Sequence, residues 1–359
     1  MSSIRIPPNS TVEIDRIEGD LHVAENSTVK AKDKRFITIA GAIHCEGDCT
    51  FDCSVSALSL RGRDGEIIVN GDLLINKSVR VTADGSLRVE GNLSAMEIEV
   101  DKELYVGRNL TAEKVDVGGK LGVGGDAKAE DIDVGGKFEA DGKVETEKMD
   151  VGGSFRGKGT VKAGSVNVGG SFHSEAEVSL KILDVGGTVE ILGNAEGANI
   201  DVGGKLTVSG NLTLTGKLDV GGLAELSGKL NAKSVKVGGA LRARRIETIT
   251  SVDVGGEIAT VEGLKASRVK IGRRGKIRGV VVAEEVMLEE RAEAEDIYAE
   301  ILFMEERAGA KNVYVKRVRL ENGCRIMGEL QYVEELRAEK DVYFAVEPKK
   351  VDKLPAAPI

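Results

Sequence analysis

The densest cluster of reactive side chains is His44-Cys45-Glu46-Gly47-Asp48-Cys49-Thr50-Phe51-Asp52-Cys53. Cysteines every four residues beside an imidazole supply the mixed sulfur and nitrogen donors that zinc prefers. The spacing is not the Cys-x-x-Cys of zinc knuckles, and small thiols also fill narrow cores. Buried structural thiols are the first expectation for Cys45, Cys49 and Cys53. A metal site that includes His44, or a disulfide, remains the alternative. Cys324 is isolated and reads as core.

Aspartates form a second pattern, at Asp116, Asp133, Asp150, Asp184, Asp201, Asp219 and Asp253, interrupted by Asn167, Lys236 and Lys270. Regularly spaced carboxylates suit calcium, but the Gly-Gly-x-Gly-x-Asp nonapeptide of calcium-binding solenoids is missing. The expectation is a ladder of solvated acids beside a corner, accepting bonds from its backbone N–H groups. Lys120, Lys137 and Lys205 follow four residues after their aspartates and offset the charge. The three histidines, His22, His44 and His173, share no repeat position. Acids and bases do not cluster at one level, so no catalytic residue is assigned, no cofactor is expected and the chain does not read as an enzyme. One basic stretch, Arg242, Arg244, Arg245, Arg268, Lys270, Arg273, Arg274, Lys276 and Arg278, is a candidate face for partner contact against a solvated, charge-balancing alternative.

What positions these residues is a repeat. The phrase apolar-Asp-Val-Gly-Gly recurs with its first glycine at 118, 135, 152, 186, 203, 221 and 255. Variants at 169 and 238 fill the gaps, and Gly272 continues the step. The spacing is seventeen residues, with a single eighteen between Gly203 and Gly221. Within a repeat apolar residues alternate every second position, as in Ile200, Val202, Leu206, Val208, Leu212, Leu214 and Leu218. That is the period of short half-buried strands. Leu206, Leu212 and Leu218 are six apart, which divides a coil into three sides. One coil cannot bury its apolar face alone, so the coils must stack. The expected fold is all-β, a single-stranded three-sided β-solenoid of about twenty coils, on the order of 95 Å long at a strand spacing of ~4.8 Å. The Gly-Gly pair marks a corner that needs φ above zero and where a side chain would strike the coil stacked on it. A phosphate-cradling loop is excluded by the missing helix and Gly-Lys-Ser/Thr ending.

Four segments are expected: irregular coils over 1–84, regular coils over 85–283, Glu/Arg/aromatic-rich coils of the same solenoid over 284–346, and an extended tail over 347–359 that cannot continue the ladder. Residues 284–296 have helical propensity. The sixteen-residue recurrence of Met287-Leu-Glu-Glu-Arg-Ala292 as Phe303-Met-Glu-Glu-Arg-Ala308 argues for strands instead. Of 359 residues 46 are Gly, 5 Pro and none Trp, and aromatics are 3%. Such a chain suits many thin, similar core layers better than one bulky core. The net charge of −9 disfavours nucleic acid as a partner. The N-terminal residues lack a signal-peptide core and no eighteen-residue apolar stretch occurs, so a soluble, cytoplasmic protein is expected.

The Ile/Val-Asp-Val-Gly-Gly-Lys-Leu coils, small-residue corners and closing Lys353-Leu-Pro resemble the bactofilins, the polymer-forming cytoskeletal family, over residues 35–345. The resemblance implies a right-handed β-helix that polymerises end to end without nucleotide, through apolar residues of its terminal coils. Here the matching positions are Val342, Tyr343 and Phe344 at one end and Ile4 and Ile6 at the other. The chain is much longer than bacterial members. It also departs from their membrane-targeting segment, since residues 1–10 hold only Ile4 and Ile6 before Pro7-Pro8, so membrane attachment is not expected. The physical case for self-assembly is independent, because an uncapped terminal coil presents unpaired strand edges. A self-assembling scaffold is thus the first functional expectation. A non-polymerising binding module using the basic face comes second, and a carbohydrate-active β-helix enzyme third.

Overall fold

Runs of three to five alternating residues, each ended by glycine or a short polar turn, leave too little chain for anything but short strands. The computed structural model describes residues 3–33 and 35–359, so Met1, Ser2 and Lys34 lie outside it. The described residues contain strands and no helix. The strands are parallel and wind as a β-solenoid of about twenty turns with about seventeen residues between turns. Tertiary contacts divide the chain into two units, Met1–Leu180 and Lys181–Ile359.

Over most of the first unit each strand pairs with the strand three further along the chain, giving three parallel sheets, and from Val144 onward single longer strands span two of the sides. The first sheet carries the apolar-Asp-Val strands. Its inward column runs Ile4, Leu21, Ile43, Leu60, Val79, Ile98, Val115, Ile132, Met149 and Val166. The second sheet follows the Gly-Gly corner and includes Leu87, Leu104, Leu121, Phe138, Phe155 and Phe172 in one column. The three Phe rings lie 5.2 and 4.9 Å apart in sequence order and are fully buried. The short strands of the third sheet stack Leu73, Leu93, Leu110, Ala127, Val144 and Val161. Stacking residue on like residue turns a weak two-residue alternation into continuous buried columns.

The Gly-Gly corners are required by close approach alone. A Cβ on Gly135 would stand 2.2 Å from the Gly118 carbonyl oxygen, and one on Gly152 the same distance from the Gly135 oxygen. None of these paired glycines has positive φ, contrary to the torsional role expected of them. Left-handed corners lie elsewhere, at Gly47 and Gly65 in the first unit and at Arg274, Arg291, Arg307 and Gly323 in successive coils of the second. A second corner is held by stacked Asx side chains. Asp72 Oδ1 accepts the Asn92 N–H at 2.7 Å, Asn92 that of Asn109 at 3.2 Å, Asn109 that of Asp126 at 2.9 Å, and Asp126 that of Lys143 at 2.8 Å.

The second unit repeats the plan. Leu206, Leu212 and Leu218 lie on three different sheets. Helical propensity over 284–296 yields to stacking. The long bent strands Lys276–Leu288, Glu293–Met304 and Gly309–Leu320 each cross all three sides, with Met287 in register with Phe303. The tail departs from expectation: Lys349–Lys350 pairs with Gln331 and Tyr332, so the ladder continues for two residues past Glu347-Pro348. The chain then turns back along the wall. Val351, Leu354 and Ala357 are half-buried, while the residues between them are exposed, the three-residue period of polyproline II. Ile359 ends against Gly263, whose φ is +91° and whose added Cβ would meet the Ile359 side chain at 2.5 Å. The tail thus passes the levels of Val313, Ile297 and Val281.

Gly152→Ala tests the close-approach role. The new methyl overlaps a backbone carbonyl that cannot rotate away, so stability should fall by about 1–3 kcal/mol, as for overpacked sites generally. Urea unfolding of the whole chain measures it; an unchanged midpoint would show that the corner yields.

Candidate functional site

Strand alternation separates the residues of the metal-like cluster. His44 points outward, half-buried, while Cys45, Cys49 and Cys53 are buried inside the coil as free thiols. A hydrogen bond to the Cys49 sulfur, with burial, pushes the Cys45 thiol well up. Burial pushes Cys53 up to about 11. The Cys49 sulfur lies near the carbonyls of Val23, Ala24 and Glu46 at 3.7 to 3.9 Å. Among the described residues no group of three His, Cys, Asp or Glu is placed to hold a metal ion.

The histidine pattern differs from expectation. His22 and His44 are register partners, their rings stacked with centroids 4.6 Å apart. The sequence period hid this because the coil between them has twenty-two residues rather than seventeen. Burial pulls the His44 imidazole below the usual histidine range. Repulsion from His22 and Arg61 adds to this, and Asp20 opposes it. The pair lines an open cleft of about 950 Å3 whose rim carries Arg5, Arg63, Glu25, Glu46 and Asp64.

These histidines belong to a longer outward column on the first sheet. In register it runs Arg5, His22, His44, Arg61 and Arg80, then Glu99, Asp116, Asp133, Asp150 and Asn167. The lower half is basic and the upper half acidic. At the junction Arg80 pairs with Glu99 at 2.6 Å, and near the top Asp150 accepts from Lys148 at 2.5 Å and Asn167 at 2.9 Å. Partial burial, then Asp116 and Asp150 beneath and above it, hold the Asp133 carboxyl above its ordinary range. The aspartates therefore sit mid-strand, not at a corner. Acids that do bond corner N–H groups include Asp20, Asp48, Asp72 and Asp126. Lys120, Lys137 and Lys205 do not offset the ladder either. They lie on the second sheet and pair with Glu139 (Lys120 and Lys137) and Glu225.

The basic stretch does not form one face. Arg242 and Arg278 lie on the second sheet, Arg268 on the first, Arg245 on the third, and Arg244, Arg273 and Arg274 at corners. Most are already paired: Arg242 with Glu225 and Glu257, Arg244 with Glu262, Arg245 with Glu247, Arg268 with Glu285, Arg273 with Glu290, Arg278 with Glu257. Seventeen-residue spacing concentrates charge in the sequence but spreads it around the coil.

The terminal coils leave core columns open. In the second unit Val286, Leu302 and Val318 are buried, yet Leu336, next in the same column, is half-exposed. Phe344 caps the fully buried Ile326 and is itself half-exposed, as is Val342, while Tyr343 is 53% and Val346 51% exposed. Among the described residues Glu335–Ala338 and Tyr343–Phe344 pair on one side only. At the start of the first unit Ile4 is 40% exposed and its strand pairs only with Leu21–Val23. Ile6, expected at the contact surface, is instead buried at 1%. Leu336 and Val346 were missed in the sequence; Leu336 is findable as the last inward copy of a column that nothing follows. The chain matches no protein family model, no curated protein and no solved structure.

Asp133→Asn is expected to relieve repulsion within the ladder. A carboxyl held above its ordinary 3.8 costs stability at neutral pH, and that cost fades as pH falls through the raised value. The variant should be more stable by about 0.5 kcal/mol at pH 7, the scale of a cross-strand like-charge pair. No gain should remain near pH 3, where the native carboxyl is itself protonated. Urea unfolding at both pH values decides it.

Proposed function

We propose that this chain is a cytoskeletal scaffold of the bactofilin kind, joining end to end through its terminal coils without nucleotide. The observation that carries the reading is the open end coil. Leu336 and Phe344 sit at inward positions with nothing among the described residues paired above them, beside exposed Tyr343 and Val346. Strand edges unpaired on one side offer hydrogen bonds to a further coil, and apolar columns offer it a core to continue. Ile4 presents the corresponding edge at the other terminus. The neutralised arginines of 242–278 give the binding-module alternative little to dock with.

Negative-stain electron microscopy of the purified chain, with no nucleotide or metal added, should show filaments, ribbons or sheets. Phe344→Asp places a charge in the continuing core and should raise the assembly threshold by about ten-fold or more, as for a buried apolar anchor. Single particles that persist across salt and concentration in the native chain would overturn the proposal. Assemblies unchanged by Phe344→Asp would remove the C-terminal coil from it.

A further inference from the structure

The graded column on the first sheet is complementary to itself. Its basic and acidic halves are the same length and share one pitch, that of stacked strands at ~4.8 Å. Turned end for end about a twofold axis between the Arg80 and Glu99 levels, a second copy brings acids to bases at the four inner pairs of levels and sets Arg5 against the neutral Asn167 at the outermost. Arg80 meets Glu99, Arg61 meets Asp116, His44 meets Asp133 and His22 meets Asp150, each contact occurring twice.

We infer that the first sheet of the unit 1–180 is a lateral docking surface for a second, antiparallel copy of this chain. Several observations favour that occupant. The basic half is short of partners: Arg5 and Arg61 form no ion pair among the described residues, and neither do Asp116 and Asp133 in the acidic half. The flanking column agrees, because the same rotation places Asp20 opposite Lys148 and the small Gly118 opposite Arg63. No like charges are brought together. Ten levels of strands about four residues wide give a patch on the order of 600 Å2 per copy, about 1,200 Å2 in the pair, the low end of specific interfaces. The exposed, paired charges make the contact weak and sensitive to salt.

The contact is separate from end-to-end joining, which buries apolar residues that salt does not screen. Sedimentation velocity of the full chain at 50 and 500 mM sodium chloride should therefore reveal a lateral species that salt disperses. Arg61→Glu sets like charges against Asp116 and should weaken that species by about ten-fold or more, as should Asp116→Lys against Arg61. The double variant restores opposite charges and should return association to within about three-fold of the native chain. Rescue is specific to the antiparallel arrangement. In a parallel copy slid by five coils, position 61 would face Asp150 and position 116 would face His22, so the two substitutions could not compensate each other. Circular dichroism and thermal midpoints confirm that each variant folds. Absence of a salt-sensitive species in the native chain, single variants that associate normally, or a double variant that stays dispersed would each overturn the inference. A loss of filaments on Phe344→Asp alone would leave it standing.

Discussion

Everything in this molecule follows from one repeated contact, the parallel hydrogen-bond ladder that sets each coil on the next about 4.8 Å away. That distance is shorter than most side chains are wide, so whatever occupies a position in one coil is in contact with its counterpart above and below. The ladder therefore imposes a rule of like upon like. Apolar residues profit from the rule, as in the Phe138, Phe155 and Phe172 column. Amide and carboxylate oxygens at the Asx corner profit as well, because each takes the backbone N–H of the next level. Carboxylates in mid-strand do not, and Asp133 shows the cost.

The same rule governs the corners. Where two turns cross at the Gly-Gly pair, the backbone of one coil occupies the space a methyl group would need in the next. Glycine is kept there by its neighbour in the stack, not by its own torsion angles. The later coils solve the corner differently, with arginines at φ near +60° in place of glycine pairs. These coils are sixteen residues long, and their strands run on around the bend. One solenoid thus contains two ways of turning, and charge rather than smallness marks the second.

How far this could be read in the sequence depends on whether the period held. Where spacing stayed at seventeen, the sheets and the inward columns were legible from alternation, and the steady sixteen-residue recurrence made the strand character of 284–296 legible as well. Where a coil lengthened to twenty-two residues, between His22 and His44, arithmetic on positions failed, and a stacked ring pair went unseen. Distance along the chain also misled at 242–278. Arginines close in sequence occupy three sheets and their corners, because six residues suffice to leave one side for the next. The pairing of Lys120 with Glu139 was hidden for the same reason, since it runs between coils within the second sheet. The open core at Leu336 needed no new chemistry, only attention to where a column stops.

The returning tail separates the chain's last residue from its last coil. Ile359 rests beside Gly263, several levels down the wall, while Tyr343 and Phe344 remain at the edge of the final turn. A fluorescent protein or affinity label fused after Ile359 would consequently project sideways and leave the terminal turn unobstructed. A label fused ahead of Ser3 would instead emerge beside the first turn, next to Ile4. Imaging with the two fusions is thus not interchangeable, and the carboxyl-terminal one is the less invasive handle.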